Sequence, residues 1–268
     1  MSLIVETYPT AAEAARALAS GEALYLAGGT LVMRAVNAGE APRRIVRTTD
    51  RSLREIALAG ETVRIGAGVT IAEVVASREL AFLHVPAQQV GGPQLRAMGT
   101  VGGNLFAPHP YGDLAVALLA LGARVTMAGQ GGARPLSDLL RDRARAGLVA
   151  QIDCPRPRDR RAFGFLKVSR VHPRGASVIA IAAYLPREGG RIRGARVAYG
   201  GMGPAPLQAA AVERALEGQA LDHATIARAV EVATQGIDPP TCPIASAWYR
   251  REVAGVHLRR LLQGMERS

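Results

Sequence analysis

Apolar residues in this chain fall into short runs separated by glycine, proline and charge, a spacing that predicts a mixed set of helices and strands. Thr10 followed three residues later by Glu13 forms a capping box and predicts a helix through about Ala19, stopped at Gly21. The strand-like run Ala23-Leu24-Tyr25-Leu26-Ala27 leads straight into Gly28-Gly29-Thr30, with a helix expected over residues 31–37 and a short strand at Ile45-Val46-Arg47. Residues 63–69 read as another strand, and Thr70 with Glu73 opens a helix to about Leu80. Residues 86–100 form a polar, glycine-bearing approach to a second pair, Gly102-Gly103. Asp113 stands before the apolar run Leu114 to Leu121 as an N-cap stands before a buried helix, and Gly122 ends the run. A strand over 123–128, a turn over 129–132, a helical fragment over 136–140 and a strand over 148–152 follow.

The stretch from Pro155-Arg156-Pro157 through Arg161 interrupts this pattern. It marks the expected boundary between residues 1–160, themselves divided near residue 55, and a smaller unit over 161–268. The smaller unit reads as strands at 163–168, 178–184 and 193–199, then helices at 208–216, 223–235 and 245–263. Strands followed by helices give an α+β order, here a three-stranded antiparallel sheet with three helices.

The two glycine pairs carry the candidate chemistry. Adjacent glycines let the backbone come close to a ligand and turn successive N–H groups toward it, so two such turns suit one pyrophosphate gripped from two sides. Asn104 adds a side-chain amide with both donors and an acceptor. Neither pair fits GxGxxG or GxxxxGK[ST], so neither is a nucleotide signature alone.

Composition narrows the classes. With 268 residues the chain is long enough for two modest domains or one large one; 49% of it is hydrophobic and only 4% aromatic, which predicts an aliphatic core. The net charge of +11 invites a nucleic-acid reading. Yet the arginines, densest from Arg141 to Arg145 and from Arg156 to Arg161, lack interleaved aromatics and any nucleic-acid motif. Acidic partner subunits or plain solvation suit them better than nucleic acid. Cys154 and Cys242 have no iron–sulfur or zinc spacing, so electron-carrying clusters are expected on another chain. No apolar run is long enough to span a bilayer and no secretory signal opens the chain, giving an expected cytoplasmic location. His84, His109, His172, His223 and His257 are scattered, and no catalytic triad, metal-ligand cluster or carboxylate pair is expected.

Taken in order, the blocks resemble one family. They are Gly28-Gly29-Thr30, Thr100-Val101-Gly102-Gly103-Asn104-Leu105 closing on Gly112-Asp113-Leu114, Phe163 to Arg170, and Ala198 to Pro206. Gln94-Leu95-Arg96 precedes the second glycine pair, and Tyr249-Arg250-Arg251 leads into the last helix. Together they are similar to the FAD-binding medium subunits of the xanthine dehydrogenase and aerobic carbon monoxide dehydrogenase family of molybdenum hydroxylases. The resemblance runs along nearly the whole chain. It implies a two-subdomain FAD-binding fold of the vanillyl-alcohol-oxidase (PCMH) type, followed by a carboxy-terminal domain of the molybdenum-hydroxylase flavoprotein type.

By that resemblance FAD lies extended between the two subdomains. Leu26, Ala27, Gly28, Gly29, Thr30, Leu31 and Val32 form one wall, and Gly99, Thr100, Gly102, Gly103, Asn104 and Phe106 the other. Asp113 reads as an ordinary N-cap, as an acceptor for the polyhydroxylated part of FAD, or as both through different oxygens. Lys167, the only lysine among 33 basic residues, is either a surface lysine or a cation near the flavin ring that raises its reduction potential. Leu148 is expected to pack against the cofactor. The implied partners are a large subunit holding the molybdopterin cofactor and a small subunit with 2Fe–2S clusters, arranged as a dimer of heterotrimers. Electrons would pass from the clusters to FAD and on to NAD, oxygen or a quinone-linked acceptor.

The chain departs from the family pattern at two places. Leu31 stands where many relatives have an acidic or polar residue, and Pro108-His109-Pro110 replaces smaller residues; His109 reads as a loop histidine near the cofactor. Gly200-Gly201 reads as a tight turn. Two rival functions remain in view: a stand-alone flavin oxidoreductase, for which a substrate-covering domain is hard to find in 268 residues, and a non-catalytic assembly module.

Overall fold

The computed structural model describes residues 3–40, 42–171 and 175–267; His172 falls outside them. The first layer holds β1 (Ile4–Tyr8), α1 (Ala11–Ala19), β2 (Leu24–Tyr25), α2 (Val32–Asn37) and β3 (Arg44–Thr48). Both helices act as crossovers, so the strands pair in parallel in the order β1-β3-β2. The Thr10–Glu13 capping box is formed, and Ala11, Ala14 and Ala17 line the buried face of α1 against Val46 and Leu53. The first glycine pair lies between β2 and α2.

A second, antiparallel sheet has the order β4-β5-β8-β6-β7. It is built from β4 (Ile56–Ala59), β5 (Thr62–Gly66), β6 (Arg124–Met127), β7 (Ala133–Pro135) and β8 (Val149–Pro155). Between β5 and β6 the chain forms α3 (Ile71–Ala76), α4 (His84–Gln88), α5 (Pro93–Met98), α6 (Val101–Leu105) and α7 (Asp113–Ala120); α8 (Leu136–Arg141) follows β7. The Thr70–Glu73 box caps α3 as expected, but the helix stops at Ala76, short of Leu80. Residues 86–100 are not an irregular approach: α4 and α5 occupy much of that stretch.

The second glycine pair is helical as well. Gly102 and Gly103 sit inside α6, although each glycine costs a helix about 1 kcal/mol relative to alanine. Two local terms offset that cost. The Thr100 hydroxyl accepts from Gly103 N at 3.0 Å, and Gly102 lies against the backbone that leaves β5. A Cβ on Gly102 would stand 2.8 Å from both Cβ and O of Ala67. Gly102→Ala is therefore expected to lower stability by about 1–3 kcal/mol in urea denaturation. An unchanged midpoint would show that this contact yields freely.

The third sheet contains β9 (Phe163–Ser169), β10 (Ser177–Tyr184), β13 (Arg196–Gly200) and β14 (Leu207–Gln208), with β11 (Arg187–Glu188) and β12 (Arg191–Ile192) forming a separate hairpin. Its order, β14-β13-β10-β9, is antiparallel throughout and has four strands rather than the three expected. The fourth is a two-residue strand with no sequence period to betray it. Helices α9 (Ala210–Leu216), α10 (His223–Glu231) and α11 (Ala247–Glu266) cover one face.

The opposite face receives α7, and this explains the composition of that helix. All eight of its residues are buried, because it packs with the second sheet's core on one side and with Ala180, Ala182 and Ala198 of the third sheet on the other. Period-two alternation along β10 follows: Ala180 and Ala182 face α7, while Ile179, Ile181 and Ala183 face the carboxy-terminal helices. Gly200 is a packing residue at the end of β13, since a Cβ there would lie 2.7 Å from Val116 Cγ2; the turn glycine is Gly201, at φ +77.

Asp113 is not the N-cap of α7. Gly112 holds that position at φ +100, a conformation glycine adopts freely, and Asp113 is the first helical residue. Its carboxylate is thereby released for a different partner.

Candidate functional site

The two glycine segments meet. A Cβ on Gly28 would fall 1.8 Å from the Met98 carbonyl oxygen and 3.0 Å from Gly99 Cα, so only glycine lets these backbones touch. Thr30 lies on the same junction, its hydroxyl 3.8 Å from where a Gly99 Cβ would be. Sequence-distant walls are thus brought together by β2 leading into one and α5 leading into the other.

Their hydrogen-bonding capacity is unequal. In the second wall, Val101 N donates to Val69 O at 2.8 Å, Gly102 N to Ala67 O at 2.8 Å and Asn104 N to Thr100 O at 2.9 Å. With Gly103 N on the Thr100 hydroxyl, the first amides of α6 are all spent within the chain, contrary to the expectation that successive N–H groups turn outward. In the first wall no acceptor among the described residues takes the amides of Ala27, Gly28, Gly29, Thr30, Leu31 or Val32. Leu31 leaves α2 without a side-chain cap, whereas threonines cap α1, α3 and α6. A polar residue in place of Leu31 would compete for these donors.

Asn104 and Phe106 complete the second wall. Asn104 Oδ1 accepts from Ala115 N at 3.0 Å, tying α6 to the first turn of α7 and leaving the side-chain NH2 as the free donor. Phe106 ends α6 and packs against the central core. Leu148 is buried with Val46, Leu53 and Ala128, in the small core that also takes Tyr25, just ahead of the first glycine pair.

Lys167 is not a surface lysine: its side chain is 3% exposed. On β9 it shares a face with Phe163 and Phe165, and so points at the α7 side of the sheet. There Nζ donates to Asp113 Oδ2 at 2.7 Å and to the Gln89 carbonyl at 2.8 Å. The Ser177 hydroxyl donates to Asp113 Oδ1. One carboxylate thus joins α7, β9 and β10, and its place at the first turn of α7 suits the helix dipole. Ser177 and Gln89 escaped the sequence reading; a lone polar residue opening the apolar strand β10 was the available signal for Ser177.

His109 belongs to a separate network. Arg250 Nη2 can only donate, so His109 Nε2 accepts from it, at 3.4 Å, and Nδ1–H donates to Gly203 O at 3.0 Å. Burial, assisted by the nearby Arg250 charge and opposed by the Gly203 bond, lowers the His109 pKa, which keeps the ring neutral. The histidine pins the 108–110 loop onto the carboxy-terminal sheet. Among the described residues no group of three or more His, Cys, Asp or Glu stands ready to hold a metal ion, and no helix is long and apolar enough to cross a membrane.

A parallel β/α unit and an antiparallel sheet meeting at a glycine junction, with a third α+β unit closing over one central helix, define the two-subdomain FAD-binding flavoprotein of the PCMH type. The chain belongs to the family of FAD-binding domains in molybdopterin dehydrogenases, whose model matches residues 5–157, and carries over residues 165–265 a match to the CO dehydrogenase flavoprotein C-terminal domain. It is 28% identical to the glyceraldehyde dehydrogenase medium chain of Sulfolobus acidocaldarius over 189 residues, 68% of this chain and 66% of that one. To the 6-hydroxypseudooxynicotine dehydrogenase complex subunit alpha of Paenarthrobacter nicotinovorans it is 29% identical over 264 residues, 93% of this chain and 89% of the relative. A solved chain of reconstituted CO dehydrogenase from Oligotropha carboxidovorans superposes with a TM-score of 0.89 at 25% identity, covering 100% of this chain and 98% of that one. The protein is an FAD-dependent oxidoreductase component.

The residues present fit that cofactor. A diphosphate needs several N–H donors, and a row of uncommitted amides beside a junction that admits no Cβ supplies them without a cation.

Proposed function

We propose that this chain is the electron-transfer subunit of a molybdenum hydroxylase, receiving electrons from 2Fe–2S clusters on one partner and delivering them to NAD, oxygen or a quinone-linked carrier. FAD supplies the redox chemistry, since it accepts electrons singly or in pairs. The observation that carries the reading is the run of uncommitted amides from Ala27 to Val32, held against Met98 and Gly99 by a glycine contact. In this reading the amides of the first wall bind the pyrophosphate. Gly99, Thr100 and Gly103 keep the opposite side free of bulk, and Asn104 donates its side-chain NH2. Asp113 keeps a lone pair on each oxygen beyond its bonds to Lys167 and Ser177, enough to accept from FAD hydroxyls. Lys167 and Asp113 present a fixed ion pair near the ring rather than a free cation, and Leu148 supports the wall from behind.

The relatives' names, a dehydrogenase medium chain and a subunit of a dehydrogenase complex, support partner subunits, which this reading takes to be a large molybdenum-binding subunit and a small 2Fe–2S subunit. A dimer of heterotrimers in the cytoplasm is the assembly this reading expects. Removing flavin from the assembled complex tests the electron path. Substrate should still bleach the iron–sulfur absorbance, while delivery to the acceptor stops and returns on adding FAD. Delivery that persists without flavin would overturn the reading.

A further inference from the structure

Arg250, on α11, has none of its surface exposed, and no carboxylate of the described residues lies within ion-pair distance of it. Its Nη1 donates to the carbonyls of Val178 and of Gly201, the latter at 2.8 Å, and its Nε has no acceptor. Nη2 donates to Cys242 Sγ at 3.0 Å and to the neutral His109 ring. Carbonyl dipoles and an imidazole solvate a buried cation without neutralising it, and an unneutralised buried charge is costly. The one contacting atom able to take a negative charge is the Cys242 sulfur.

We propose that Cys242 is the thiolate counter-ion of Arg250 and, as such, a modification site: a nucleophilic cysteine that reacts with hydroperoxides and thiol-alkylating electrophiles. Cys242 is partly exposed in the segment before α11, whereas Cys154 is fully buried. Burial works against ionisation of Cys242, but the backbone N–H groups of Ala245 and Ile244 and the Arg250 guanidinium outweigh it, holding the thiol below its ordinary pKa. Arg250 is the charged group that acts on the sulfur, and His109, behind the guanidinium, is neutral. With a hydroperoxide the sulfur attacks one oxygen, the O–O bond breaks and two electrons pass from sulfur to the peroxide. The leaving oxygen takes the sulfenic proton, so that hydrogen peroxide yields sulfenate and water.

The test is the pH dependence of iodoacetamide labelling on the full, FAD-loaded chain, followed at each cysteine by peptide mass spectrometry. An ordinary thiol of pKa about 8.5 loses reactivity about 75-fold between pH 8 and pH 6. The expected result is a fall at Cys242 clearly smaller than that of an ordinary thiol, and no labelling of Cys154. Hydrogen peroxide followed by dimedone should mark Cys242 alone. A fall of about 75-fold at Cys242, or no labelling there at either pH, would overturn the proposal; so would failure of peroxide to produce the dimedone adduct.

Discussion

Replacing Lys167 by methionine is expected to cost the fold about 3–5 kcal/mol, the loss typical of a buried ion pair stripped of one partner. The methionine fills much of the lysine's volume, so the effect isolates charge. Asp113 would remain buried at the first turn of α7, its bond from Lys167 gone and only the Ser177 hydroxyl left to it. Because Asp113 joins α7 to two strands of the third sheet, the damage falls on the contact between the flavin-binding region and the carboxy-terminal unit. Pairing Lys167→Met with Asp113→Leu should recover most of the loss, since a buried pair often exchanges for apolar residues at little cost. Urea denaturation of the two variants beside the parent decides the matter. A loss below about 1 kcal/mol in the single variant would mean that the pair is solvated and weak. The same geometry bears on redox tuning. With Asp113 Oδ2 at 2.7 Å, most of the lysine's charge is cancelled locally, so this residue shifts a flavin potential much less than a free cation would.

The second large effect is on flavin retention. Gly28→Ala places a methyl where the Met98 carbonyl already stands, at 1.8 Å, and can be accommodated only by moving the two walls apart. Flavin content per chain after desalting should fall to near zero. Gly103→Val separates binding from folding. A Cβ at Gly103 meets only Thr100 Oγ1, at 3.0 Å, and valine costs a helix no more than glycine does. That variant should keep its unfolding free energy within about 1 kcal/mol of the parent while losing FAD. Full flavin in Gly28→Ala, or in a folded Gly103→Val, would move the cofactor away from this junction.

These contrasts mark what the sequence makes legible. The capping boxes at Thr10 and Thr70 are local, made by residues three apart, and could be read directly. The wholly apolar stretch from Leu114 to Leu121 announced burial, though not the two layers that bury it. The N-cap reading of Asp113 fails because an acid before an apolar run can equally be the first helical residue, with its carboxylate turned to a distant partner. Choosing between them needs Lys167, 54 residues away, together with the left-handed Gly112 that takes the cap. Gly102 and Gly103 looked like loop because glycine disfavours helices, and only the tertiary contact with Ala67 reverses that preference. The helices between His84 and Met98 are one to two turns long, too short to show a period. Arg250 was hidden among 33 basic residues, since nothing local distinguishes a buried guanidinium from the solvated ones around it.

The central claim is that the Ala27–Val32 amides and the segment from Gly99 to Phe106 hold FAD. Its most direct test is the visible absorption spectrum of the desalted chain, before and after incubation with FAD, with the released cofactor identified by chromatography. The account predicts a flavin spectrum close to one FAD per chain, with no FMN. A folded, colourless protein that takes up no added FAD would contradict it.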